Sequence, residues 1–171
     1  LGCNCGKNLL PYLDMYPRSE AHGVDIGAPL LRFGHAIASH ENKPVHFSQQ
    51  DAEHLDFEDS SVDLVTSSFF LHELPLKKTK AIFAEVRRIL RPGGLMIHME
   101  LPPNSEVDSY YGFYLDWDTG SNNNEPFYAD FRNQNMAALC QEAGYDADKY
   151  MQLLIPNYSS FGAEKFGAFV K

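Results

Sequence analysis

Four short clusters in this sequence carry residue types that could grip a ligand and act on it. The first is Leu1–Leu10, LGCNCGKNLL. Glycines and small residues let backbone amides approach a ligand at a strand-to-helix turn. Gly2 and Gly6 do not complete a G-x-G-x-x-G fingerprint, so a plain turn is an equal reading. The second is Asp25, which closes an apolar run 19 positions after Gly6. An acid at that place can accept the two hydroxyls of a ribose; the alternative is a cap on the helix that starts near Ala28. The third is Gln50-Asp51-Ala52-Glu53. A carboxylate there can accept an exocyclic amine, or remain a solvated loop acid. The fourth is Ser67–Leu74, SSFFLHEL, which holds His72. With an ordinary pKa of about 6.5, a histidine suits proton transfer near neutrality. The alternative is a structural His72 bonded within its own turn, and Glu73 is a weaker candidate base.

Elements of alternating type must position these clusters. The sequence predicts strands at His22–Ile26, Val45–Ser48, Val62–Ser67 and Leu95–Leu101. Helices are expected at Ala28–His40, with Pro29 in the first turn, and at Leu76–Leu90, where Ile82, Phe83, Val86, Ile89 and Leu90 recur at helical spacing. Arg91-Pro92-Gly93-Gly94 reads as a turn. Met136, Leu139, Cys140 and Ala143 mark a later helix ended by Gly144, a residue suited to a left-handed cap. Tyr150–Ile155 and Lys165–Val170 read as closing strands. Strands alternating with helices mean a mostly parallel sheet with helices on both faces, and such sheets bind ligands beyond the carboxyl ends of their strands. Pro102–Tyr128 breaks the alternation and shows no period; a lid or substrate-loop insertion is expected over residues 102–128. Its Tyr110, Tyr111, Phe113, Tyr114 and Trp117 could line a flat apolar substrate pocket, or form the segment's own small core.

The 171 residues suit a single domain with a substantial core, and no apolar run approaches the length that spans a bilayer. The net charge of −9 comes from acids spread along the chain, and no Lys/Arg cluster could neutralise a run of phosphates. A nucleic-acid partner is therefore not expected, and neither is membrane insertion. Cys3, Cys5 and Cys140 make an odd set, which fits a reducing, cytoplasmic setting. C-x-C without a matching Cys/His pair is poor zinc spacing, so no metal is expected there.

Read in order, LGCNCGKNLL, GVDIG, QDAEHLDF, SVDLVTSSFFLHEL and EVRRILRPGGLMIHME resemble the successive motifs of class I S-adenosylmethionine (SAM) dependent methyltransferases. The likeness is greatest to a small-molecule branch that includes quinone-biosynthesis methyltransferases, and it covers residues 1 to about 101. It implies a Rossmann-like α/β fold with an antiparallel C-terminal strand pair, and SAM as cofactor. By the resemblance, Gly2, Asn4 and Gly6 surround the methionine part of SAM. Asp25 takes the ribose hydroxyls, Ile26 packs on the adenine, Asp51 and Ala52 contact its edge, and Ser67 approaches the methionine amino group. His72 lies near the junction of cofactor and substrate, the catalytic position. Tyr110, Tyr114 and Trp117 are the substrate-binding candidates, and His98 is expected to be internal. Asn4 replaces the central glycine of the family's G-x-G-x-G, and asparagine tolerates left-handed backbone better than most residues.

The resemblance also implies a first strand ahead of Gly2, in the middle of the sheet. That strand is expected upstream of Leu1, so the sequence reads as N-terminally incomplete. The expected function is transfer of a methyl group to a small-molecule acceptor, with a homodimer compatible. A SAM-binding regulatory module without catalysis is the alternative, and a nicotinamide-dependent dehydrogenase is disfavoured by the missing G-x-G-x-x-G.

Overall fold

A computed structural model describes residues 1–106, 109–155 and 164–170. The chain divides into two compact units, residues 1–56 and 57–171. In the first, helix α1 (Leu10–Met15) has a proline in its first turn, where the missing N–H costs nothing. Strand β1 (Ala21–Asp25) and strand β2 (Val45–Gln49) pair in parallel, Ala21 opposite Val45 and Asp25 opposite Gln49. Helix α2 (Ala28–His40) is the crossover that a parallel pair requires. Leu10, Leu13, Ala38 and Val45 form the core of this unit, with Ile37 and Phe47 packed against them.

The second unit holds a sheet of order β3-β4-β6-β5. Strand β3 (Val62–Ser68) runs parallel to β4 (Leu90–Glu100), and α3 (Leu76–Ile89) connects them. The stripe predicted on α3 is its buried face: Ile82, Phe83, Val86 and Ile89 are all at most 2% exposed. Strand β6 (Glu164–Val170) pairs antiparallel with β4 and with β5 (Tyr150–Ile155). The turn expected at Arg91–Gly94 is absorbed into β4 as a bulge, because the β3 partners step from Val62↔Leu90 to Leu64↔Leu95. Gly93 takes φ 81° within it. After α6 (Met136–Glu142), Gly144 adopts φ 90°, as expected for a left-handed cap, and its carbonyl accepts from Arg87 Nε at 2.8 Å.

The α/β, Rossmann-like class is as the sequence indicated. The segment 102–128 differs from the loop expected there. It contains α4 (Ser109–Asn122), fourteen residues of helix, and α5 (Tyr128–Arg132) follows directly. The physical reason lies in which face is covered. The buried residues of α4 are Gly112 and Thr119, with Asp116 only 18% exposed between them at helical spacing. Its large apolar residues instead face solvent. A helix whose covered stripe is small and polar has no hydrophobic period to read.

Candidate functional site

The residues expected to hold an adenosyl group come together in the first unit. Leu1–Leu10 folds into a tight bend in which Gly2, Asn4 and Gly6 take φ 58°, 51° and 73°. Asn4 therefore fills the left-handed place of the missing glycine, and its side-chain oxygen accepts from Cys5 N at 2.7 Å. The bend is tied to β1, since Cys3 N donates to Val24 O at 3.0 Å. Asp25 is the knot: Oδ2 accepts from Asn4 N at 2.7 Å and Oδ1 from Gly27 N at 2.8 Å. Asp25 thus closes a turn onto Gly27, the N-cap residue of α2, and does not itself cap that helix as the alternative reading expected; a carboxylate with two donors keeps further lone pairs for ligand hydroxyls.

Gln50 N donates to Asp25 O at 3.1 Å, which brings the β2 end, and Asp51 just beyond it, to the Asp25 end of β1. Asp51 Oδ1 accepts from Glu53 N at 3.0 Å, a local turn that holds the QDAE loop. Ala52 is buried beneath it, whereas Ile26 is 72% exposed at the rim. Close packing of α2 positions the bend: a Cβ on Gly34 would lie 2.6 Å from the Cys5 carbonyl oxygen. Burial pushes the half-buried Cys3 thiol up to about 11, which keeps it protonated and poorly suited to act as a ligand or nucleophile.

Ser67 and His72 belong to the second unit. The Ser67 side chain is buried and lies 2.6 Å from His98 Nδ1. With His98 as its partner, the hydroxyl oxygen still keeps acceptor capacity. His98 is internal, as expected. Its ring stacks on Phe83, and burial lowers its pKa to about 3, so the imidazole is neutral. His72 sits in the turn Leu71–Glu73, buried, with its Nδ1 2.7 Å from Glu100 Oε2. Glu100 Oε1 also accepts from Phe70 N at 2.8 Å and Leu71 N at 2.6 Å. One carboxylate at the end of β4 therefore fixes both the turn and the imidazole. Phe69, Tyr128 and Phe131 meet the His72 ring edge-on. Burial works to lower the His72 pKa, but the hydrogen bond and charge of Glu100, with Glu73 and Glu125, raise it overall.

The orienting role of Glu100 was not legible in the sequence, nor was Arg132. Arg132 is 1% exposed; Nη1 donates to Asp116 Oδ1 at 2.6 Å and Nε to Pro102 O at 3.1 Å. No local pattern marks either residue, because each finds its partner tens of positions away or across two helices. A cavity of about 370 Å³ lies among Leu71, His98, Glu100, Phe131, Arg132 and Tyr150. Tyr110, Tyr114 and Trp117 do not line it: they are 87%, 54% and 55% exposed on α4, with the Tyr114 and Trp117 rings 6.3 Å apart.

Residues 1–94 match the family model described as a methyltransferase domain. The chain is 35% identical over 81 residues to a demethylmenaquinone methyltransferase of Staphylococcus haemolyticus, covering 47% of this chain and 33% of the relative. It is 31% identical over 103 residues to the demethylmenaquinone methyltransferase of Thermus thermophilus, covering 60% and 46%. The chain thus spans about a third to a half of the length of these curated relatives. A SAM-dependent methyltransferase structure from Methanosarcina mazei superposes with TM-score 0.69 at 20% identity, covering 99% of this chain and 87% of that one. Phosphoethanolamine N-methyltransferase 2 of Haemonchus contortus, solved with SAM, gives TM-score 0.72 at 15% identity and covers 99% and 47%. Family match, motif order and fold agree: the chain belongs to the methyltransferase-domain family and has the fold of class I SAM-dependent methyltransferases.

Proposed function

We propose that this chain binds SAM and transfers its methyl group to a small-molecule acceptor. The observation that carries the reading is Asp25, whose carboxylate clasps the Gly2–Gly6 bend through Asn4 N and keeps acceptor capacity beside the exposed Ile26. The residues present suit the cofactor. Gly2, Asn4 and Gly6 would face its methionine part, Asp25 its ribose, and Ile26, Asp51 and Ala52 its adenine. When bound, SAM supplies an electrophilic methyl carried on a sulfonium.

The chain's own work is to hold an acceptor in line and to manage its proton. Alignment alone can contribute about 7 kcal/mol or more in favourable cases. Glu100 holds His72 through Nδ1, so Nε2 is the atom that would take up an acceptor's proton. Three aromatic rings meet the imidazole edge-on and hold it in place. Tyr110, Tyr114 and Trp117 would offer ring faces to a flat acceptor. Two relatives named for a quinone precursor support an acceptor of that kind. A nucleic-acid acceptor does not fit a chain of net charge −9 without a basic cluster. No helix among the described residues is long and apolar enough to cross a membrane, and the free thiols suit a reducing compartment.

Calorimetry of the full-length protein with SAM and with NAD tests the reading. Saturable SAM binding and none with NAD is expected. Binding of NAD but not SAM would overturn it.

A further inference from the structure

The turn that carries His72 does more than orient an imidazole. Nδ1 is taken by Glu100, and this fixes Nε2 as the free end of the ring. His72 is 6% exposed, and its Nε2 lies 3.8 Å from each of two carboxylate oxygens, Glu73 Oε1 and Glu125 Oε2. The candidate ligand atoms of His72, Glu73 and Glu125 all lie within 4.8 Å of one another.

We propose that His72 Nε2, Glu73 and Glu125 form a binding site for a single divalent transition-metal cation of the zinc or manganese class. Three observations converge on it. The first is the donor set: one neutral imidazole and two carboxylates favour zinc-like cations over magnesium or calcium, which take all-oxygen cages. The second is the support behind the histidine. A carboxylate on the far ring nitrogen is the usual partner of a metal-ligating histidine, because it sets the tautomer and makes the ligating nitrogen more basic. Glu100 holds that position and is itself anchored by two backbone amides.

The third is charge. Glu100, Glu73 and Glu125 surround one imidazole, so even a protonated ring leaves excess negative charge that a dication would balance. Ligands at about 2.1 Å from a tetrahedral ion stand roughly 3.4 Å apart. The two 3.8 Å separations need little contraction, and the 55%-exposed Glu73 side chain is free to close the remainder. Three protein ligands leave a position open for water or an oxygen-bearing ligand, as in catalytic rather than structural sites.

Metal capture and proton uptake are mutually exclusive uses of the one Nε2 lone pair. The site depends only on the placement of these residues, and its failure would leave the methyl-transfer reading intact. The elements that unite it are distant in sequence: Glu125 lies 52 positions beyond Glu73.

Full-length protein freed of metal by a chelator is titrated with Zn²⁺ by calorimetry and with Co²⁺ by visible absorption. One equivalent should bind, with the Co²⁺ bands of a low-coordinate nitrogen-oxygen site. Removing even a supporting residue costs about 10–100-fold in metal affinity, so Glu73→Gln and Glu125→Gln should each weaken binding at least about tenfold. Glu73 is exposed, so that variant does not threaten folding. The stacked, partly exposed His22–His46 pair beside Glu20 is a second place where zinc could adsorb, and His46→Asn should bind as wild type does. The proposal is overturned by absence of saturable binding, by glutamine variants that bind like wild type, or by loss that follows His46 instead. SAM affinity measured on the same samples reports separately on the methyl-transfer reading.

Discussion

His98 should make this protein acid-labile by an amount that can be calculated. The ring is 3% exposed, its Nδ1 is paired with the Ser67 hydroxyl, and its Nε2 is buried with no partner among the described residues. Burial lowers its pKa to about 3, against an ordinary value of 6.5. Between those values the unfolded chain binds a proton that the folded chain refuses, so stability rises with pH across that window and falls as pH drops below about 6.5. At pH 5.5 the unfolded ring is about ten-elevenths protonated and the folded ring almost wholly neutral, which costs roughly 1.4 kcal/mol. For a chain of this size that is a loss of about 3–6 °C in Tm. The figure is insensitive to the folded value, provided that it lies well below 5.

The assay is thermal and urea unfolding of wild type and His98→Asn at pH 7.5 and pH 5.5, a range chosen above most carboxylate titrations. The variant loses the titrating ring but keeps a group able to bond Ser67. Wild type should lose about 1.4 kcal/mol more than His98→Asn on the same pH step. An equal loss in both proteins would show that the buried ring is not held neutral by its surroundings.

Asp25→Ala removes a charged acceptor from the bend, and hydrogen bonds to charged groups contribute about 1.5–3 kcal/mol, so SAM affinity should fall roughly 10–100-fold by calorimetry. Undiminished binding would remove Asp25 from the ribose role. Gly34→Ala gains about 1 kcal/mol of helix propensity but forces a methyl to 2.6 Å from the Cys5 carbonyl oxygen, an overpacking that costs about 1–3 kcal/mol. The net cost of about 0–2 kcal/mol should lower Tm by no more than about 8 °C while SAM binding weakens, because the bend must move; unchanged affinity would separate the α2 contact from the cradle. Arg132→Ala leaves Asp116 facing a buried void and should cost about 3–5 kcal/mol in urea unfolding. Asp116→Asn, which keeps the shape, should cost less, and the reverse order would refute the pairing.

The sequence alone determined the elements whose signal is local. The α3 stripe, the proline-started α2, the Gly144 cap and the β-branched strands each follow from period or backbone preference within a dozen residues. So did the family, because motif order along the chain survives without coordinates, and Asn4 was legible as a residue able to take the left-handed place of a glycine. Only tertiary structure decided what depends on meeting at a distance. Asp25 was recognisable, but not its double clasp on Asn4 N and Gly27 N. His72 was recognisable, but not Glu100 behind it or Glu125 before it, since a carboxylate 28 or 53 positions away leaves no mark on the local pattern. The α4 helix was hidden for the opposite reason: its covered face is glycine, aspartate and threonine, the first two bonded to a buried arginine. Hydrophobic periodicity reports burial in an apolar core, and it is silent where a helix is covered by a charge pair.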